Sequence, residues 1–373
     1  MADRALATAN EELEAVILED PLDPSGWLVY GDWLQAEGDP RGELVAVQAK
    51  LARDPGNPEL MEAQRELFRT HGDGLLEGLH RWLVPTADRG PLFRLSWEFG
   101  FLWTANVAPS GHHLPELIAG LRALLTHPSA RFLHALTIAT PPADGWPSVL
   151  EVLHQLEGVR PLRILFLGDS AMSAGHPRPA FGPIGDLSGL WSRFPRLEIV
   201  ALRGGMMDLG GLELPRLREL TIETSALQRE ALLALGARTW PALERLELWF
   251  GDRRCTCTLN ELVPILEAAR FPALGHLGIR NCPFVDRVCH ALAHAPLAAQ
   301  LRVLDLSLGT LTDLGAAALM DAKESFTNLA VLDVRWSHFR SEWSFEGLAK
   351  FVDRGHVVSD RDDLGRPKVW LDT

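Results

Sequence analysis

The chain is poor in residues that mark several common protein classes. It has 4 Cys in 373 residues, at 255, 257, 282 and 289, which is sparse for a disulfide-stapled secreted scaffold. It lacks a cationic excess. Lys and Arg number 36 against 49 Asp and Glu, for a formal net charge of -13. That balance opposes non-specific binding to nucleic-acid phosphates and to an anionic membrane surface, and it favours basic or neutral proteins as partners. No run of 18 apolar residues occurs, so no membrane span is expected. The first twenty residues carry Glu11, Glu12, Glu14, Glu19 and Asp20 and do not read as a signal peptide. A cytoplasmic location with reduced thiols is the expectation. A Gly-x-Ser-x-Gly elbow, a Walker loop and a Gly-x-Gly-x-x-Gly stretch are all missing, so no cofactor is expected. Tyrosine is nearly absent, with one Tyr against 12 Trp.

What is present is periodic. Hydrophobic residues make up 47% and charged residues 23%, the composition of a folded chain. Within it one pattern recurs: Leu, two residues, an aliphatic, one residue, an aliphatic. The copies are Leu133/Leu136/Ile138, Leu162/Leu165/Leu167, Leu197/Val200/Leu202, Leu217/Leu220/Ile222, Leu243/Leu246/Leu248, Leu274/Leu277/Ile279, Leu301/Leu304/Leu306 and Leu329/Leu332/Val334. Their first leucines stand 29, 35, 20, 26, 31, 27 and 28 residues apart. Five residues beyond the last aliphatic, Met172, Met207, Leu227, Phe284, Leu311 and Phe339 supply a further inward apolar group, while Ala143 and Arg253 break the rule. Phe194-Pro195, Leu214-Pro215, Trp240-Pro241 and Phe271-Pro272 open four consecutive units, where proline ends a helix and feeds an extended segment. Apolar spacings of three and four predict helices over Thr258–Arg270, Thr312–Glu324, Ser225–Gly236 and Asp286–His294.

This pattern resembles the leucine-rich-repeat family, most closely its ribonuclease-inhibitor-like branch. The resemblance implies an α/β solenoid, a horseshoe with a parallel sheet on its concave side and helices outside. The family's Asn or Cys, three residues past the last aliphatic, is matched by Cys282 alone, so irregular curvature is expected. Stacked repeats of this kind need caps. Leu92–Val107, with Leu95, Trp97, Phe99, Phe101 and Trp103 alternating, reads as one or two cap strands. Phe345–Phe351 reads as a last helix and Val357–Thr373 as a polar hairpin. The implied organisation is residues 1–85 as a small all-α domain, 86–130 as the N-terminal cap, 131–340 as about eight repeats and 341–373 as the C-terminal cap.

Residues 1–85 carry no repeat. Helices are expected at Glu11–Leu18, from a cap at Ser25 through Gln35, at Gly42–Leu51, and over Pro58–Leu79 with a break at 72–74. Leu28-Val29-Tyr30-Gly31-Asp32-Trp33-Leu34 followed by Gly38-Asp39-Pro40-Arg41-Gly42-Glu43-Leu44 resembles a short bacterial repeat-companion domain. That domain occurs at the N-terminus of bacterial leucine-rich-repeat proteins. The resemblance implies architecture and a bacterial source, with no chemistry. Asp32, Arg41 and Glu43 read either as a buried polar cluster, with a helix cap at Asp39, or as part of a docking site around exposed Trp33 and Arg41.

Candidates for chemistry are few. Gly168-Asp169-Ser170 is similar to the nucleophile block of the lipase family named for that tripeptide, and Asp353-Arg354-Gly355-His356 to its distal Asp-x-x-His. Such a pair supplies a Ser nucleophile with a His base. Ser170, however, falls in a post-strand turn already in phase, and His356 in the C-terminal cap many repeats away. Cys282, Cys289, His290 and His294 read either as a metal set or as buried thiols beside solvated histidines. Neither catalytic residues nor metal ligands are assigned.

The residues between the strand aliphatics face away from the core. In the middle and late repeats they are Arg203, Glu219, Thr221, Glu223, Arg245, Glu247, Trp249, His276, Arg280, Asp305, Ser307, Asp333 and Arg335, with Phe250 and Trp336 at the rim. Early repeats offer smaller and more apolar groups, such as Ala135, Ile164 and Ala201. Two readings are open. One is a solvated sheet with compensating pairs such as Glu223 with Arg245. The other is a protein-binding face anchored by exposed Trp249 and by Arg245 and Arg280. The expectation is a non-catalytic interaction module or scaffold binding one or more proteins. An inhibitor or antitoxin-like regulator of an enzyme is the first alternative, and a Ser hydrolase the second.

Overall fold

A computed structural model describes residues 9–142, 144–156, 161–168, 182–251, 254–340 and 343–354. The chain is a mixed α/β protein that forms two compact units, Met1–Ile164 and Leu165–Thr373. No helix among the described residues is long and apolar enough to cross a membrane.

The first unit opens with α1 (Glu11–Glu19), α2 (Pro24–Ala36), α3 (Arg41–Arg53), α4 (Pro58–Leu75) and the short α5 (His80–Leu83). Each of the longer helices starts for a local reason. Asn10 caps α1 by accepting from the Leu13 amide at 3.2 Å. Asp23, not Ser25, caps α2, because Pro24 takes the first helical position and Ser25 donates its amide to Asp23 at 3.0 Å. Asn57 caps α4, which continues through Gly72 and Gly74 and stops at Leu75 rather than 79. Helices α2 and α3 meet through glycine: a Cβ at Gly42 would lie 2.5 Å from the Gly31 carbonyl oxygen.

Strands β1 (Phe93–Glu98) and β2 (Phe101–Val107) form an antiparallel hairpin. Its turn residues, Phe99 and Gly100, both take positive φ, 47° and 76°, as the twist of a tight hairpin requires. A Cβ on Gly100 would also meet the Arg41 carbonyl oxygen at 2.6 Å, so the helical segment docks directly on the hairpin tip. After α6 (Leu114–Thr126), β3 (Ala135–Ile138) pairs parallel to β2, and α7 (Trp146–His154) follows.

The core of this unit is aromatic. Trp27 stacks on Phe99 at 5.0 Å and meets Phe132 edge-on at 4.9 Å. Ile17, Tyr30, Leu34, Val45, Phe101 and Trp103 complete the cluster. The Tyr30 hydroxyl donates to Glu14 at 2.8 Å, and Arg131 donates to both, to Glu14 at 2.7 Å and to Tyr30 at 3.0 Å. The polar tip of the one tyrosine is thus satisfied at the edge of an apolar cluster.

The second unit is built on repetition. Strands β4 (Ile164–Leu167), β6 (Ile199–Arg203), β8 (Glu219–Glu223), β9 (Arg245–Trp249), β10 (His276–Arg280), β11 (Val303–Asp305), β12 (Val331–Asp333) and β13 (Phe351–Asp353) lie side by side in chain order. From β6 onward every neighbouring pair is parallel. A separate parallel pair joins β5 (Gly185–Asp186) to β7 (Met207–Asp208). The connections carry α8 (Arg229–Gly236), α9 (Leu259–Leu262), α10 (Val285–Ala293) and α11 (Asp313–Asp321).

Every aliphatic of the eight repeat triplets, in both units, is buried. The residues before the four prolines, Phe194, Leu214, Trp240 and Phe271, are buried too. Trp191 and Trp240 are core residues whose indoles donate to the Leu209 and Leu235 carbonyls at 2.7 and 2.9 Å. Of the inward apolar positions, Met207, Leu227 and Leu311 are buried, and Phe284 and Phe339 half-buried. Met172, Ala143 and Arg253 lie outside the described residues. Asn281, Leu308 and Trp336, each two residues past a last aliphatic, take φ of 49°, 66° and 63°. Three successive repeats thus end their strands with the same left-handed turn, which costs a side-chain-bearing residue roughly 1–2 kcal/mol.

Two expected helices are corrected. Thr258–Arg270 yields only α9 before Pro264 converts the chain to a 3-10 turn over Val263–Leu266. Phe345–Phe351 is not a helix. Gly347 takes φ 81°, the chain turns, and Phe351–Asp353 pairs with β12 as a strand. The expected hairpin at Val357–Thr373 lies outside the described residues.

Candidate functional site on the sheet of the second unit

The strand register sorts the non-core side chains of the second unit into rows. One row runs Ile199, Glu219, Arg245, His276, Val303, Val331, Phe351. The next runs Ala201, Thr221, Glu247, Gly278, Asp305, Asp333, Asp353. A third places Arg203 opposite Glu223 and Trp249 opposite Arg280. Neighbours within a row lie about 4.8 Å apart and adjacent rows about 6.6 Å apart, so long charged side chains reach across both.

They pair extensively. Arg203 meets Glu223 at 3.0 Å, and Arg245 reaches along its own strand to Glu247 at 2.7 Å. Arg280 bridges two strands, contacting Glu247 at 2.9 Å and Asp305 at 3.3 Å, and donates to Ser307 Oγ at 3.2 Å. Arg335 meets Asp333 at 2.5 Å and Asp353 at 3.4 Å. The expected Glu223–Arg245 pair does not form, because the register sets Arg245 opposite Glu219 and leaves Glu223 to Arg203.

Trp249 is placed differently from its expectation. It is 4% exposed. Its indole donates to Glu247 at 3.0 Å and the Arg280 guanidinium lies 4.2 Å above its ring. Strand alternation puts Trp249 on this face, and the longer side chains of the next strand then cover it. Phe250, expected at the rim, is fully buried against Phe284 at 5.4 Å. Trp336 is half-buried.

Gly278 makes the centre of the lattice possible. A Cβ there would stand 2.9 Å from Cγ of Glu247; without one, the carboxylate lies across strand β10 and reaches Arg280. Burial alone would raise the Glu247 carboxyl. Arg280, with hydrogen bonds from Trp249, Arg280 and Arg245, overrides burial and holds it at about 2. At Asp305 burial wins over Arg280, Asp333 adds repulsion, and the carboxyl is raised. At Glu223 burial likewise outweighs Arg203. Burial, reinforced by Arg245, pushes His276 down to about 4, so its imidazole is neutral at pH 7.

The site is therefore pre-formed and ionic. Among the described residues, three arginines of the rows and Arg335, two residues past β12, face six carboxylates: Glu219, Glu223, Glu247, Asp305, Asp333 and Asp353. Such a face offers fixed charges for recognition. Two members were not legible from sequence. Asp353 lies just past the segment read as a helix and was named only in the Asp-x-x-His candidate, and Gly278 left one signal, a glycine within a strand, which marks a close approach.

The remaining candidates disperse. Arg41 is fully buried in a salt bridge with Asp39 and lies 5.0 Å from the Phe101 ring. Asp32 and Glu43 are exposed and take no part. Arg41 is therefore a core residue rather than a docking contact, because the turn before α3 folds it back onto Asp39. Trp33 is half-buried, stacked on Tyr30 at 5.4 Å. Cys282 and Cys289 are fully buried while His290 and His294 are exposed, so those four do not converge. Ser170 and His356 lie outside the described residues.

No protein-family model and no curated protein matches the chain. A crystal structure of a protein from Bacteroides fragilis is similar over 80% of this chain and 84% of that chain, with a TM-score of 0.53 and 20% sequence identity. A likeness at that identity concerns the fold alone.

Proposed function

We propose that the chain is a non-catalytic interaction module of the leucine-rich-repeat type. In this reading the sheet of the second unit lines the concave side of a horseshoe and binds a protein partner in the cytoplasm. The observation that carries it is the in-register lattice of arginines and carboxylates across β6 to β13. Ion pairs already organised on a rigid sheet cost little further ordering on binding. They also select partners by charge complementarity more than by area. With more carboxylates than arginines on the face, the fitting partner presents a basic surface.

The carboxylates such a partner can reach are Glu219, half-buried, and Asp353, with 38% of its side chain exposed. Trp249 is unsuited as a probe of binding, since its replacement would disturb the fold of the face. The test is co-purification of the tagged chain from its native cells, with Glu219→Lys and Asp353→Lys as variants. A basic partner retained at fixed stoichiometry by the parent, and lost about tenfold or more by the double variant, supports the proposal. Retention that ignores both substitutions, or no retained partner, sinks it.

A further inference from the structure

Outside the ionic face, the second unit holds a pair of sulfurs that the proposed function does not use. Cys255 and Cys257 lie in the segment between β9 and α9, and their thiols share a hydrogen bond. Cys255 is half-buried, while Cys257, Cys282 and Cys289 are buried. A soluble reagent therefore meets Cys255 first, and Cys257 is a buried thiol two residues along the chain. The segment is pinned. The Cys257 thiol donates to the Leu227 carbonyl at 3.4 Å, and the Thr256 amide donates to the same oxygen at 3.1 Å. Thr256 Oγ accepts from the Arg229 amide, at the start of α8, at 2.9 Å.

We propose that Cys255 and Cys257 are a modification site, a dithiol that a low-molecular-weight disulfide such as oxidised glutathione converts to an intramolecular disulfide. The Cys255 thiolate attacks one sulfur of the reagent. A mixed disulfide forms, and the first reagent thiolate leaves and takes up a proton. Cys257 then gives up its proton and attacks the Cys255 sulfur, and the second reagent sulfur leaves as a thiol. Two protein thiols are oxidised and one reagent disulfide is reduced to two thiols, so the exchange balances without another oxidant.

The order of the steps has a physical basis. In the reduced pair the Cys257 thiol is pushed well up, first by its hydrogen bond with Cys255, then by burial and by the Cys255 charge. Capping Cys255 in the mixed disulfide removes both contributions that come from it, and the resolving thiol becomes easier to ionise. Closing the bridge brings the two Cβ atoms to about 3.5–4.5 Å.

The test treats the folded full-length protein with oxidised glutathione, then alkylates and digests it with trypsin. The peptide Cys255–Arg270 contains both cysteines and no other. The expected product is that peptide lacking two hydrogens, without alkyl or glutathione groups, and restored by dithiothreitol. Cys257→Ser is expected to stop at a glutathione adduct on Cys255. A stable adduct on Cys255 in the parent, a bridge from Cys255 to Cys282, or no reaction when the unfolded chain reacts overturns the proposal. The parent's mass decides the matter even where Cys257→Ser does not fold.

Discussion

The two units use different cores. In the first, a small set of rings from distant parts of the chain meets around Trp27, once. In the second, the same aliphatic triplet is buried again and again, and the distinctive chemistry is moved outward to the sheet face. A core made once concentrates its stability in a few large side chains. A repeated core spreads it over equivalent neighbours and leaves the outer face free to vary.

That contrast is open to attack at three points. The largest effect is expected at Trp27→Ala. Removing a fully buried ring that touches Phe99, Phe101, Trp103 and Phe132 costs about 3–5 kcal/mol. Hydrogen exchange should show lost protection in α2 and β2, with β9 and β10 unchanged. Equal loss in both places would contradict a local aromatic core. Next comes Glu247→Gln. The carboxyl sits at about 2 in the folded chain against an ordinary 4.5. The charged form is thus favoured by folding, and its contribution is complete above pH 4.5 and lost as pH falls toward 2. At about 1.4 kcal/mol per pH unit this amounts to roughly 3 kcal/mol. Denaturant titrations of the parent should lose that stability on acidification through this window, and those of the variant should not. A parallel acid limb in both would show that Glu247 is not the keystone of the lattice.

The smallest effect belongs to His276→Gln. Folding holds the imidazole near 4 against 6.5, so the unfolded chain takes up the proton first as pH falls. Stability should drain between pH 6.5 and 4 in the parent and stay flat in the variant. Partial solvent access screens the effect to about 1 kcal/mol. An unchanged slope would place His276 in bulk-like solvent.

The same contrast explains what the sequence made legible. The strands of the second unit follow from periodicity, since an aliphatic at every second position can face only one way. The aromatic core has no period. Phe132 and Trp27 meet across a hundred residues, and nothing local announces it. Most of the ionic face was legible in membership but not in geometry. Alternation assigns Trp249 to the face, yet exposure is decided by Arg280 and Glu247, which close over it. Arg41 shows the same limit. The polar cluster expected for it was with Asp32 and Glu43, whereas a turn brought Asp39, two residues away. The C-terminal segment failed on one residue, since Gly347 in the left-handed region ends a helix that its apolar neighbours would otherwise support.

Gly278 carries a consequence beyond packing. The charge pattern at the middle of the sheet depends on an empty space, and any side chain placed there must displace Glu247. Arg280 would then keep Asp305 as a partner and Trp249 would lose its acceptor. Replacing one uncharged residue would thus rearrange three others and redraw the electrostatic signature of the face without altering the number of charges. In a family of related chains, diversity of recognition need not track the charged positions themselves. It can be written by vacancies, the places where a strand declines to fill its own surface.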